Sequence, residues 1–170
     1  IGYAGGTDWG SGYVYKTVDG GNTWAQQLWL GGGMVTGLHF PVDTGLGYFT
    51  NVTTEGAEPG VYKTIDGGVT WTRTGVGPAS DGLVLVRFTS AEAGVALGYR
   101  GTIFHTTDGG ASWTEGWLGR DVTPTGFDFG DATTGYLVGR DGLLARTVDG
   151  GTPSIRAMFL HPVGAGSVNG

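Results

Sequence analysis

Four aspartates, Asp19, Asp66, Asp108 and Asp149, recur along the 170-residue chain at spacings of 47, 42 and 41 residues. Each sits in the same short sequence. Thr17-Val18-Asp19-Gly20-Gly21-Asn22-Thr23-Trp24 returns as Thr64-Ile65-Asp66-Gly67-Gly68-Val69-Thr70-Trp71 and as Thr106-Thr107-Asp108-Gly109-Gly110-Ala111-Ser112-Trp113. A fourth copy begins Thr147-Val148-Asp149-Gly150-Gly151 and then loses the Thr-Trp ending to Thr152-Pro153-Ser154. A carboxylate serves as acid, base or metal ligand only while its oxygens are available. Here the Asp precedes two glycines, which supply positive φ, and an Asp in such a turn accepts hydrogen bonds from backbone N–H groups a few residues on. The four aspartates therefore read as turn formers. Each Trp is expected to start the following strand and to dominate stability, since burying an indole removes roughly 150–250 Å² from water.

The remaining acids and histidines offer little chemistry. Glu55 and Glu58 share one loop with Gly56 and Pro59, and Asp8 with Glu55 is the only carboxylate pair that merits a test as a glycosidase pair. His39, His105 and His161 show no metal-ligand spacing, and there is no cysteine to complete a site. No Ser-His-Asp set, phosphate loop or nucleotide fingerprint is present. The sequence predicts no metal, no cofactor and no catalytic residue.

Composition narrows the partners. Lys plus Arg is 9 and Asp plus Glu is 15, a net charge of −6. That argues against broad binding to nucleic acid or an anionic membrane surface. No stretch approaches the roughly 20 apolar residues of a membrane span. The chain begins at Ile1 with no visible leader, from which processing or truncation is expected, and an extracytoplasmic location is the expectation. Asn51-Val52-Thr53 has the form of a glycosylation acceptor.

The elements between the turns are short and strand-like, with no amphipathic helix. Residues 34–41, 46–52, 60–65 and 70–76 read as four strands of one unit, and the same pattern follows in the next two units. A period in the forties with four strands per repeat is the signature of a propeller blade. The fold expected is all-β, a β-propeller of four-stranded antiparallel blades. Blade 1 covers about 1–30, blade 2 about 34–76, blade 3 about 83–118 and blade 4 about 122–154. Residues 155–162 (IRAMFLHP) read as the start of a further blade or as a ring-closing strand.

The repeated S/T-x-D-x-G-x-T/S-W sequence resembles the Asp-box, the bacterial neuraminidase repeat, found between the third and fourth strands of propeller blades. Residues 40–48 (FPVDTGLGY), 88–96 (FTSAEAGVA) and 129–136 (FGDATTGY), paired with these turns, are most similar to the photosystem II assembly/stability factor family and its non-photosynthetic bacterial relatives. The resemblance implies that the Asp-box turns occupy one face, and that loops joining second to third strands, or blade to blade, occupy the ligand-binding face. On that face it places Trp9, Tyr99, Arg100, Arg120 and Arg140, with three arginines from successive blades converging near the axis. Arginine's planar fork suits carboxylate or phosphate recognition. Trp9, Trp29 and Trp117, outside the repeats, suit stacking on sugars or protein side chains. Lys16, Lys63, His105 and Arg146, each just before a repeat, read as the solvated side of a third strand. The Phe/Tyr-Arg-Ile-Pro motif of sialidases is absent.

The function expected is a non-catalytic scaffold that binds a macromolecular partner. Protein is favoured and glycan is the alternative, with a carbohydrate-binding or glycosidase-like propeller as the second reading. Arg100, Arg120, Arg140, Tyr99, Trp9 and Trp117 are the expected contacts. A lone arc of blades must hide its faces, so three completions are open: a longer parent chain, a closed four-bladed ring, or a homo-oligomer.

Overall fold

Among the described residues, alternating small and apolar residues between the turns give fifteen strands and no α-helix. The computed structural model describes residues 1–53, 58–76 and 82–151, and the backbone of Arg156–Phe159. The first sheet has the order β1-β2-β3, from Gly2–Asp8, Ser11–Thr17 and Ala25–Gly31. The second has the order β4-β5-β6-β7, from Gly33–His39, Gly47–Thr53, Gly60–Thr64 and Thr72–Arg73. The third joins β8 (Leu83–Phe88), β9 (Gly94–Gly98), β10 (Thr102–Thr106) and β11 (Thr114–Trp117) in sequence. The fourth joins β12 (Pro124–Phe129), β13 (Gly135–Gly139), β14 (Leu143–Thr147) and β15 (Arg156–Phe159). All pairs are antiparallel meanders, the layout of propeller blades.

Residues 7–11 are the ends of β1 and β2 around a tight Trp9-Gly10 turn, where Gly10 supplies φ 97°. One expectation changes here. Arg156–Phe159 pairs with β14, from Leu143↔Phe159 to Arg146↔Arg156, so it is the outer strand of the fourth blade rather than the start of a fifth. The apolar run at 155–162 carries no marker that separates an outer strand from a first one.

The inner strands of blades 2, 3 and 4 share a register shift at one position, between Val35 and Gly37, Leu83 and Leu85, and Pro124 and Gly126. A bulge bends a strand and strengthens its twist. The Thr36 hydroxyl at the first bulge reaches the next blade, donating to the Leu83 carbonyl at 2.7 Å.

The core lies between blades. Val14, Val35 and Phe49 join blades 1 and 2. Tyr48, Val61, Val86, Phe88 and Phe104 join blades 2 and 3. Val95, Leu97, Ile103, Phe127 and Leu137 join blades 3 and 4. Among the described residues no such cluster joins blade 4 back to blade 1, so the four blades form an open arc and not a four-membered ring. Glycine is required wherever an inner-strand Phe lies across the second strand. A Cβ on Gly47 would sit 2.3 Å from Phe40, and one on Gly94 2.5 Å from Phe88.

Candidate functional site

The repeated turns consume their own carboxylates. Asp19 Oδ1 accepts the Thr17 hydroxyl at 2.8 Å and the Thr23 N–H at 2.9 Å, and Oδ2 accepts the Thr23 hydroxyl. Thr17 Oγ1 in turn accepts the Gly21 N–H at 2.9 Å. Asp66 and Asp108 repeat this pattern with Thr64 and Thr70, and with Thr106 and Ser112. These bonds favour the charged form. They hold Asp66 and Asp108 at about 2 and Asp19 well below the usual carboxylate range, the hydroxyl of Thr70, Ser112 or Thr23 contributing most. A carboxylate so saturated is a poor base or ligand at neutral pH. Asp149 keeps the first half of the pattern through the Thr147 hydroxyl at 2.6 Å.

The tryptophans act differently from expectation. Each indole N–H closes its own turn, Trp24 on Gly21, Trp71 on Gly68 and Trp113 on Gly110, all at 3.1 Å. Trp71 and Trp113 are half-buried, and Trp24 is 46% exposed. Burial depends on the preceding blade, which Trp24 lacks among the described residues. That packing, not the motif, sets how much each indole stabilises.

Two of the repeat-locked cations, Lys16 and Lys63, bond the next blade, while Arg146 is exposed. Lys16 Nζ donates to the Gly67 carbonyl of the next blade at 3.2 Å, and the Tyr3 hydroxyl donates to the same oxygen at 3.0 Å. Lys63 and Tyr48 do the same to Gly109, at 3.0 and 3.2 Å. Each Lys also lies over its tyrosine ring, at 5.3 and 5.6 Å. The pairing follows from register, Tyr3↔Lys16, Tyr48↔Lys63, Val95↔His105 and Tyr136↔Arg146. Blades 1 and 2 thus grip the Asp-Gly-Gly turns of blades 2 and 3.

The opposite end of the arc carries the predicted contact residues. Antiparallel connectivity puts the joints β1–β2, β9–β10 and β13–β14 there, together with the blade-to-blade segments. Tyr99–Gly101 form one turn of 3-10 helix in which Arg100 adopts φ 59°. The Trp117 indole donates to the Arg100 carbonyl at 3.1 Å, and a Cβ on Gly101 would meet the Arg120 carbonyl at 2.5 Å. Tyr99, Arg100, Trp117 and Arg120 are therefore one cluster on blade 3, with Trp117 60% exposed. Arg140 is on the neighbouring blade, its N–H bonded to the Thr123 carbonyl at 3.0 Å. Trp9 is fully exposed at the tip of its hairpin on blade 1.

The charged groups on the inner strands are other residues. His39, Arg87 and Asp128 each precede the inner-strand Phe of their blade, and Arg87 Nε lies 3.5 Å from Asp128 Oδ1. His39 Nδ1 accepts the Phe88 N–H at 3.1 Å. Burial, then the Arg87 charge, push its pKa down to about 4, against a smaller opposite pull from Asp128. A cleft of about 320 Å³ opens beside His39, Phe88 and Asp128. Aligning the three units on that Phe would have exposed this row.

Of the two acids expected as a glycosidase pair, only Asp8 is among the described residues. Asp8 accepts the Tyr13 hydroxyl at 3.2 Å, Glu58 faces Arg73 at 3.5 Å, and Glu55 lies outside the described residues. Asn51 is buried, with its amide bonded to the Glu58 carbonyl and the Gly60 N–H, so it is no glycan acceptor in the folded chain. Among the described residues no three His, Asp or Glu gather as a metal site.

No family model and no curated protein matches the chain. Solved structures do. YCF48 bound to D1 peptide aligns with 18% identity and TM-score 0.64, over 89% of this chain and 52% of that one. YCF48 from Cyanidioschyzon merolae aligns with 21% identity and TM-score 0.58, over 74% and 37%. An ancestral GH74 enzyme aligns with 14% identity and TM-score 0.64, over 94% and 24%. This chain spans about half of the first structure's length and less of the others. At these identities the likeness is one of architecture, and it agrees with the sheets and junctions above: the chain is a four-bladed arc of a β-propeller.

Proposed function

We propose that the chain is a non-catalytic Asp-box propeller module that binds a peptide segment of a protein partner at the loop end of the arc. The observation that carries this reading is the blade 3 cluster. Trp117 is exposed yet fixed by its bond to the Arg100 carbonyl, with Arg100 and Arg120 beside it. A rigid, exposed indole held against a segment that carries two arginines suits a peptide carrying carboxylates, through stacking and forked hydrogen bonds. At the Asp-Gly-Gly end the carboxylates of Asp19, Asp66 and Asp108 are engaged in their own turns. Binding of D1 peptide by YCF48, a chain of like architecture, supports a peptide as ligand.

The test is an immobilised library of acidic peptides probed with the chain and two variants. Arg100→Ala/Arg120→Ala/Arg140→Ala and Trp117→Ala should each weaken the strongest interaction about tenfold or more, the scale of one lost charged contact. Equal binding by all three proteins would remove the loop end from the account. The carbohydrate reading rests on the exposed Trp9 and Trp117 and the architecture shared with a GH74 enzyme. Signal on a glycan array, lost on Trp9→Ala, with none on peptides would favour it.

A further inference from the structure

We propose that two copies of this chain associate head to tail, the Tyr136–Arg146 pair of one closing on the Gly20 turn of the other. The molecule contains its own template for this contact. Twice, a tyrosine and the lysine opposite it converge on the first glycine carbonyl of the next Asp-Gly-Gly turn, on Gly67 and on Gly109. Blade 4 keeps the donor half. Tyr136 faces Arg146 across β13 and β14, with the guanidinium 6.0 Å from the ring centre, and the ring is 53% exposed.

Blade 1 keeps the acceptor half. Its turn has the full set of internal bonds, from Thr17 to Trp24. A Cβ built on Gly67 would touch Lys16 Nζ at 3.0 Å and Tyr3 Oη at 3.1 Å. On Gly109 it would touch Lys63 Nζ at 3.1 Å. On Gly20 it meets nothing within 4 Å. Among the described residues nothing fills this seat. Beside it, Gly12, Val14 and Lys16 alternate towards blade 2, which turns Tyr13 and Tyr15 to the opposite side of β2. Those rings stack at 6.1 Å, and Trp29, the partner of Tyr13 in register, is 61% exposed. An apolar sheet face next to an empty polar seat is what the contacts inside the arc cover at each junction.

A second copy is the occupant because it offers both halves with matched chemistry: a cation and a phenol on one side, the Gly20 carbonyl on the other. Two arcs of four blades give eight, within the range of known propellers. The solved chain of like architecture is longer than this one, since 89% of this chain covers 52% of it. A heterologous contact made twice closes a ring of two when the rotation fits.

Sedimentation velocity over a wide concentration range tests this on the 170-residue chain. The expected species is twice the 17.5 kDa chain mass. Arg146→Glu should raise its dissociation constant about tenfold or more. The chain has no cysteine, so Tyr136→Cys with Asn22→Cys, both at exposed positions, places one thiol at each half of the contact. A short bis-maleimide should then link the pair into a dimer, and neither single variant should give the closed, doubly linked product. A monomer at every concentration overturns the proposal. So does a dimer indifferent to Arg146→Glu that fails to cross-link, and so does an open-ended ladder of larger species.

Discussion

Stability of this chain should fall between about pH 6.5 and about pH 4, and His39 should be a measurable part of the reason. The imidazole Nδ1 accepts the Phe88 backbone N–H, which only an unprotonated Nδ1 can do. Its pKa in the folded chain is pushed from 6.5 down to about 4, by burial first and by Arg87 second. In that window the unfolded chain takes up a proton that the folded chain refuses. The contribution is therefore full above the unfolded value and is lost as pH falls towards the folded one. Undiscounted, that displacement corresponds to about 3 kcal/mol. The ring is only half-buried, so solvent screening reduces the expected effect to about 1–2 kcal/mol. His105, also shifted down by burial, titrates in the same direction, so the assay is a difference. Urea unfolding of wild type and His39→Asn is compared at about pH 7 and about pH 4.5. Asn retains an acceptor near Nδ1 and carries no proton to titrate. Wild type should lose about 1–2 kcal/mol more than the variant on acidification. Identical losses would refute the reasoning.

Two further outcomes follow from the geometry. Gly94→Ala should destabilise by about 1–3 kcal/mol in urea, because the new Cβ meets Phe88 at 2.5 Å, while Gly6→Ala, with nothing within 4 Å, should stay near neutral; similar values for both would contradict the packing account. Asp108→Asn should lower stability at neutral pH and flatten the loss that wild type shows as pH falls from 3.8 towards about 2, followed by circular dichroism; an unchanged acid profile would mean the carboxylate bonds do not matter.

The legible part of the sequence was the part set by backbone demand. Asp-Gly-Gly announces a turn because few residues tolerate its φ values, and Gly20, Gly67, Gly109 and Gly150 lie at φ of 69–76°. Counting those turns gave the four sheets. The Tyr–Lys grip was hidden because Lys16 and Lys63 look like any strand-edge cation until register sets each opposite a tyrosine. Trp24, Trp71 and Trp113 are alike in sequence and differ in burial because only two of them have a blade in front. The outer strand at Arg156–Phe159 was misplaced because a degraded fourth repeat removed the Thr-Trp marker that would have dated it. At the loop end, Arg100, Arg120 and Trp117 do come together. The inner-strand row of His39, Arg87 and Asp128 escaped notice, since a single charge before a Phe has meaning only when three units are aligned.

The central claim is that blades 1 and 2 each hold the next through a shared carbonyl, and a double-mutant cycle at Gly109 addresses it directly. Tyr48→Phe removes one neutral donor and should cost about 1 kcal/mol; Lys63→Met removes a charged one and should cost about 2 kcal/mol. Either single variant leaves the oxygen one partner, but the double variant leaves it none in a buried junction. The account predicts a double variant at least about 1 kcal/mol less stable than the sum of the singles. Additivity within about 0.5 kcal/mol would contradict it.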